Sequence, residues 1–301
     1  GEGPRRRSSG QGPPGEPPDQ GSPRQLARRE RASMGDGKQY VFVEESPPLA
    51  VVSIRREPVN AMNAALWEQL QSALDALEAN KKIRGVVFAS GLDKDIFTAG
   101  NDLRELYGPL ISEESYARFW GAQNTFLARL YRSPLATAAA IKGACPAGGC
   151  ILGLVCDFRV QTEEGRIGLN EVALGIPVPA YWAKVFCSLT GAGKGEKLLA
   201  LGLQVKPREA LAVGLIDQVV ARKEELMPAA KAALSKLLKA PDVGRVLTKQ
   251  SLRSELSQSW EADWEREVPG IVAMLKHPQA VAMMERAMSR GKKPKKAAAR
   301  L

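Results

Sequence analysis

The residues of this sequence whose types and spacing suit chemistry are one acid and two glycine-bearing loops. Glu171 stands in the run Arg166 to Ile176, which is apolar and flanked by Gly168 and Gly175. Such surroundings strip water from a carboxylate. Desolvation penalises the charged form, so the pKa rises toward the range where a carboxyl can take and return protons. The same residue also suits a structural acid that accepts backbone hydrogen bonds in a turn. Taken alone, Glu171 fits the turn better, and the two loops tip the choice.

The first loop is Ile141-Lys142-Gly143-Ala144-Cys145-Pro146-Ala147-Gly148-Gly149-Cys150. The small apolar run Leu135 to Ile141 before it suits a buried strand, and Ile151 to Cys156 reads as the body of a buried helix. Gly148 and Gly149 then fall in that helix's first turn, where amide N–H groups have no intrahelical partner and no Cβ keeps a ligand oxygen away. The helix dipole favours negative charge at the same point. The second loop, Asp95 to Glu105, follows the apolar strand expected at Gly85 to Ser90 and places Gly100 beside Asn101. Two such loops on neighbouring strands can aim two N–H groups at one oxygen, the geometry of an oxyanion hole. A glycine-rich turn that only lets a helix pack closely on a strand is the plainer alternative for the first loop.

These loops need an α/β frame. Tyr40 to Glu44 and Leu49 to Arg55 alternate around Ser46-Pro47-Pro48 as a β-hairpin, and Leu66, Leu70, Leu74 and Leu77 stripe a helix from about Ala64 to Asn80. Strand, helix and strand in that order predict a right-handed crossover. Asp102 with Glu105 three residues on predicts a capping box and a helix from Leu103. Residues 112–132 predict a helix whose Tyr116, Phe119, Trp120, Phe126 and Tyr131 are read as core, with an acyl-pocket role for Phe119 or Trp120 as the alternative. Asp157 to Gln161 is a strand, Gly195 to Leu203 and Pro207 to Val213 are short helices, Ile216 to Val220 is a strand, and Leu226 to Ala240 is a helix stopped by Pro241. From Asp242 the pattern is helical with a break at Val268-Pro269-Gly270. Gly191 to Gly195 lacks the spacing of a phosphate loop.

Composition narrows the classes. The 301 residues carry a formal charge of +10, and 44% are hydrophobic, enough for a sizeable core. Residues 1–39 hold eight Lys/Arg against five Asp/Glu, and residues 290–301 hold six Lys/Arg and no acid. The body is left almost neutral, so a basic face for nucleic acid is not expected in the fold. No apolar run reaches the roughly 18 residues of a membrane span. Cys145, Cys150, Cys156 and Cys187 lack zinc-type spacing and read as small buried thiols in a reducing compartment. His277 is the only histidine and precedes Pro278 in a polar turn, which argues against Ser-His or Cys-His catalysis. Residues 1–38 are too poor in aliphatic side chains to repay ordering and read as a disordered tail.

With these residues in place, the stretch from about Val41 to Arg290 resembles the crotonase (enoyl-CoA hydratase/isomerase) superfamily. The resemblance rests on Phe97-Thr98-Ala99-Gly100-Asn101-Asp102-Leu103, on Gly143 to Cys150, on Asn170-Glu171 with Leu174-Gly175-Ile176, and on Glu209 to Asp217. It implies an α/β fold with a ββα spiral core over 39–225, a C-terminal helical region over 226–290 for oligomerisation or as a lid, and a basic tail at 291–301. It implies an acyl-CoA substrate whose thioester oxygen is held by the amides of Asn101 and Gly148. Pro58, Val59, Asn60 and Ala61 together with Ala99, Gly100, Asp102 and Leu103 would hold the nucleotide and thioester parts of coenzyme A, and Asn170 would line the site.

Hydratases of the superfamily use two glutamates, but the first of those positions is Ile151 here, so only Glu171 can ionise. The departure points to a Δ3,Δ2-enoyl-CoA isomerase acting in fatty-acid β-oxidation, with Glu171 as the single base. The resemblance is strongest to mitochondrial-type monofunctional isomerases. Other crotonase reactions on an acyl-CoA (hydration, thioester hydrolysis, decarboxylation) are the alternatives, and an RNA-binding homologue is a more distant one. The resemblance implies a homotrimer or hexamer, no metal, and no cofactor beyond the coenzyme A of the substrate. Ala299-Arg300-Leu301 is a variant of the Ser-Lys-Leu address read by the peroxisomal import receptor. The Arg-rich N-terminal tail keeps mitochondrion or plastid as the alternative, although Glu2, Glu16, Asp19 and Glu30 are unusual in a transit peptide.

Overall fold

The structure, a computed structural model, describes Gly1 and residues 37–292. Apart from their inner ends, the tails expected at 1–38 and 291–301, including Ala299-Arg300-Leu301, lie outside the described residues. Strands β1 (Val41–Ser46) and β2 (Leu49–Ile54) form the expected hairpin. Helix α1 (Ala64–Ala79) follows, capped by Asn63, whose Oδ1 accepts from Leu66 N at 3.1 Å. Its Leu66, Leu70, Leu74 and Leu77 are all buried. The chain then returns as β3 (Gly85–Ser90), parallel to β2.

Helix α2 (Glu113–Arg132), capped by Ser112, leads to β4 (Ala136–Ile141), whose residues are all buried. The remaining strands are β5 (Cys145–Pro146), β6 (Phe158–Thr162), β7 (Ile167–Gly168) and β8 (Gln218–Val220). Five of them, β1 to β4 and β6, join β8 in one sheet in the order β1-β2-β3-β4-β6-β8, parallel except for the first pair. The other two, β5 and β7, pair separately in parallel and carry the chain past the glycine loop and toward Glu171. No helix among the described residues is long and apolar enough to cross a membrane.

The two faces of the sheet are covered differently. On one face Trp67, Phe88, Phe126 and Ile141 belong to the large core under α1 and α2. On the other, Val87, Ala138 and Val160 pack under Leu226, Ala230 and Leu234. Those three residues come from a helix that runs Lys223–Leu237, a few residues earlier than the sequence suggests, so the first helix of the 226–290 stretch belongs to the cover of the sheet.

Three local expectations are corrected. Val268-Pro269-Gly270 does not break the C-terminal helix, which runs unbroken from Asp242 to Leu275. Proline removes one helical hydrogen bond, yet Pro269 and Gly270 face solvent while Val268, Val272 and Leu275 are buried, and that packing carries the helix through. The chain turns at Lys276 and His277 instead, before a last helix at Pro278–Lys292. Leu103–Glu105 is a single 3-10 turn, in which Asp102 accepts from Arg104 N but Glu105 does not return the bond. Glu105 reaches across to the first N–H of α1, at Ala64 (3.2 Å). Finally, the helix expected from Gly195 starts at Ala192, and its Gly195 sits tightly against Cys187 and Thr190.

Candidate active site

Glu171 opens a 3-10 turn, Glu171–Leu174, that ends at Gly175 in the left-handed region. The residue is only 5% exposed, and neither carboxylate oxygen has a hydrogen-bond partner among the described residues. Burial without a countercharge pushes its carboxyl up to about 7. The neighbouring Asn170 Oδ1 is likewise buried and unpartnered. A buried carboxylate with no bond to satisfy it is a poor structural acid and a good proton acceptor.

The two loops abut, and the backbone shows where their amides point. Gly100 O accepts from Met62 N at 2.9 Å, and Asp102 N donates to Met62 O at 2.9 Å. Because a trans peptide holds C=O and N–H on opposite sides, the Asn101 N–H is turned away from Met62 and has no acceptor among the described residues. Gly148 is the first residue of helix α3 (Gly148–Leu154). The carbonyl of Ala147 runs down that helix to Ile151 N (3.1 Å), so the Gly148 N–H projects off the N-terminus with no acceptor either. A Cβ on Gly100, whose φ is +84°, would lie 3.1 Å from Ala147 Cβ and 3.6 Å from Gly148 N. A Cβ on Gly148 would lie 2.6 Å from Asn101 Oδ1. Only glycines let the loops come this close. Ala147 itself holds φ 49°, ψ −122°, a conformation costly for an L-residue, between these glycines.

A cavity of about 250 Å³ joins these parts. Ala99, Asn101 and Leu103 line it from one loop, Pro146 and Ala147 from the other, and Asn170 and Glu171 from the acid turn. Its far wall is apolar and was largely beyond sequence reasoning: Leu106, Tyr116, Trp120, Trp182 and, from the long C-terminal helix, Ile271, Met274 and Leu275. The aromatic rings stack in series, Tyr116 on Trp120 (5.7 Å between centroids) and Trp120 on Trp182 (6.1 Å). Trp120 Nε1 donates to Glu267 Oε2 at 3.3 Å, which fixes the middle ring. Of the two aromatics weighed for an acyl pocket, Trp120 lines the cavity and Phe119 is core. Among the described residues Glu171 is the only carboxylic acid in the lining, and Ile151, which cannot ionise, is fully buried within α3.

The remaining predicted contacts lie outside the lining. Gly148 follows the lining residue Ala147 in the chain and packs against the lining residue Asn101. Pro58 is exposed, and Val59 and Ala61 are half-buried. Val59 O accepts from Ala99 N (2.9 Å) and Asn60 O from Thr98 Oγ1 (2.8 Å), so this segment braces the Ala99–Leu103 loop. The Asn60 side chain is fully buried, accepts from Arg56 N, and donates to Ser90 Oγ and Phe97 O, so it braces the segment internally. The Asp102 carboxylate is paired with Arg56 (3.0 Å) and Arg104 (2.8 Å). An isolated acid next to a glycine loop gives no sign in sequence of which cations will claim it.

Known proteins resemble this chain over most of its length. The family model described as enoyl-CoA hydratase/isomerase matches residues 44–295. The human protein "Enoyl-CoA delta isomerase 1, mitochondrial" is 36% identical over 260 residues, covering 83% of this chain and 85% of the relative. A short-chain-enoyl-CoA hydratase from Clostridium acetobutylicum is 29% identical over 213 residues, covering 70% and 80%. Among solved structures, human mitochondrial Δ3-Δ2-enoyl-CoA isomerase superposes with a TM-score of 0.80 at 34% identity, covering 84% of this chain and 98% of that one. The chain has the crotonase fold and belongs to the enoyl-CoA hydratase/isomerase family.

Proposed function

We propose that this protein is a Δ3,Δ2-enoyl-CoA isomerase that converts 3-enoyl-CoA to trans-2-enoyl-CoA. The observation that carries the reading is the lone, unpartnered carboxylate of Glu171 in a cavity that also meets the loops bearing two free amides. The thioester oxygen sits between the Asn101 and Gly148 N–H groups. Glu171 takes a proton from C2, the electron pair moves into the dienolate, and the two amides hold the developing oxyanion. Glu171 then returns the proton at C4, and the double bond is left between C2 and C3 with no atom gained or lost. Each oxyanion donor of this kind contributes about 3 to 4 kcal/mol of transition-state stabilisation. Coenzyme A arrives with the substrate, and no step needs a metal or a further cofactor.

The relatives named as delta isomerases support this choice within the family. Hydration would need a second group to activate water, and the family's other glutamate position is the buried Ile151. Those relatives are also named as mitochondrial, which supports the mitochondrial alternative over a peroxisomal location. Assembly as a trimer or hexamer remains part of the proposal. The reaction is tested by incubating the protein with trans-3-hexenoyl-CoA and identifying the product. trans-2-Hexenoyl-CoA is expected, whereas 3-hydroxyhexanoyl-CoA or free coenzyme A as the main product would refute the isomerase reading.

A further inference from the structure

We infer that Gln123 is a positioning residue for the oxyanion amide of Asn101, an inference that rests on the isomerase reading above. Gln123 lies on α2, is fully buried, and does not line the cavity. Its side chain makes a reciprocal pair with that of Asn101: Gln123 Nε2 donates to Asn101 Oδ1 at 3.0 Å, and Asn101 Nδ2 donates to Gln123 Oε1 at 3.2 Å. Two parallel bonds between planar amides fix both separation and orientation, as one bond does not.

The pair completes a set of restraints around one residue. On one side the Asn101 backbone is held through Met62, which bonds both Gly100 O and Asp102 N. On the other side the side chain is held by Gln123. Asn101 Oδ1 is also the atom that a Cβ on Gly148 would strike, at 2.6 Å, so the position of this amide sets how closely the two oxyanion loops approach. Releasing it leaves the half-buried Asn101 amide without its partner beside Gly148, free to turn toward the cavity. With the side-chain tether gone, only the Met62 bonds hold the Asn101 peptide, and its N–H is freer to shift relative to the Gly148 N–H. Ground-state binding, spread over the whole acyl-CoA, is little changed by it. Oxyanion stabilisation depends on donor geometry and is lost.

The next residue on the helix provides the control. Asn124 is also a buried amide, but it bonds Trp120 O (2.7 Å) and accepts from Trp260 Nε1 (2.7 Å), away from the oxyanion loops. The experiment compares Gln123→Met, Asn124→Leu and the unmodified protein for melting temperature, kcat and KM with trans-3-hexenoyl-CoA. It also reads the fraction of a bound 3-ketoacyl-CoA held as its enolate, from the near-ultraviolet enolate band. Losing the pair is expected to cut kcat about 30-fold and to lower the enolate fraction, with KM within about threefold. Asn124→Leu should lower the melting temperature and leave kcat within about threefold.

A folded Gln123→Met protein with kcat and enolate fraction near those of the unmodified protein would overturn the inference, as would equal losses of kcat in both variants. If Gln123→Met does not fold, Gln123→Glu, which keeps shape and acceptor but loses the donor to Asn101 Oδ1, is judged by the same criteria. An unmodified protein that converts no 3-enoyl-CoA would refute the isomerase reading, and the enolate fraction would then decide the role of Gln123 alone.

Discussion

Replacing Gly148 with alanine is the smallest change that should disable the site while leaving the fold in place. The added methyl would lie 2.6 Å from Asn101 Oδ1, 3.1 Å from Asn101 Cγ and 3.1 Å from Met62 Cε. The methionine methyl ends a flexible chain and can give way. The Asn101 oxygen cannot do so freely, because Gln123 holds it at 3.0 Å. Restoring van der Waals distance therefore pushes the two oxyanion loops apart by roughly half an ångström or more. Displacement on the order of 1 Å costs about 10²-fold in a reaction that depends on positioning. Loss of one oxyanion donor costs about 10²- to 10³-fold. Gly148→Ala should thus lower kcat by about 10²- to 10³-fold. The assay is the initial rate of trans-2-hexenoyl-CoA formation, alongside a thermal melt. Gly193→Ala is the control, since a Cβ there meets nothing within 4 Å. A folded Gly148→Ala protein with kcat within fivefold of the unmodified one would show that the Gly148 amide does not hold the oxyanion.

Three further outcomes follow from the same geometry. Because the base must be deprotonated and its carboxyl is pushed up to about 7, kcat/KM should rise about tenfold per pH unit up to neutrality and level off above it; a profile flat from pH 5 to 8 would contradict Glu171 as base. The folded pKa lies above the unfolded value, so the native state binds the proton more tightly, and stability falls as pH rises from about 4.5 to about 7. Glu171→Gln removes that loss, and denaturant melts should find it more stable than the unmodified protein by up to about 3 kcal/mol at pH 8 but not at pH 4. Trp120→Ala opens the aromatic wall, and the kcat/KM ratio of 3-dodecenoyl-CoA to 3-hexenoyl-CoA should rise about tenfold, at a stability cost of about 3 to 5 kcal/mol; an unchanged ratio would remove Trp120 from the acyl wall.

What could be read from sequence was local. The strand and helix that flank Gly143 to Cys150, the stripe of Leu66 to Leu77, and the lone acid at Glu171 each follow from periodicity, glycine placement or burial over a dozen residues. In the structure Asn101 and Glu171 line one cavity, and Gly148 packs against Asn101 beside it. What escaped was long-range. Ile271, Met274 and Leu275 reach the cavity from more than a hundred residues beyond the glycine loop, and nothing in their own neighbourhood marks them as lining. Partner choice was also hidden. Asp102 and Glu105 have the spacing of a capping box, yet Arg56, Arg104 and Ala64 N compete for them more effectively. Pro269 was read by its local cost, whereas burial of Val268 and Val272 on the opposite face decides the helix.

The central claim is that one carboxylate moves the proton, and the most direct test is the initial rate of trans-2-hexenoyl-CoA formation from trans-3-hexenoyl-CoA by Glu171→Gln. The side chain keeps its shape and the cavity its volume, so affinity for a non-reacting acyl-CoA should stay within a few-fold while the rate falls by about 10³-fold or more. A Glu171→Gln protein that binds acyl-CoA and still turns over within tenfold of the unmodified rate would contradict the account.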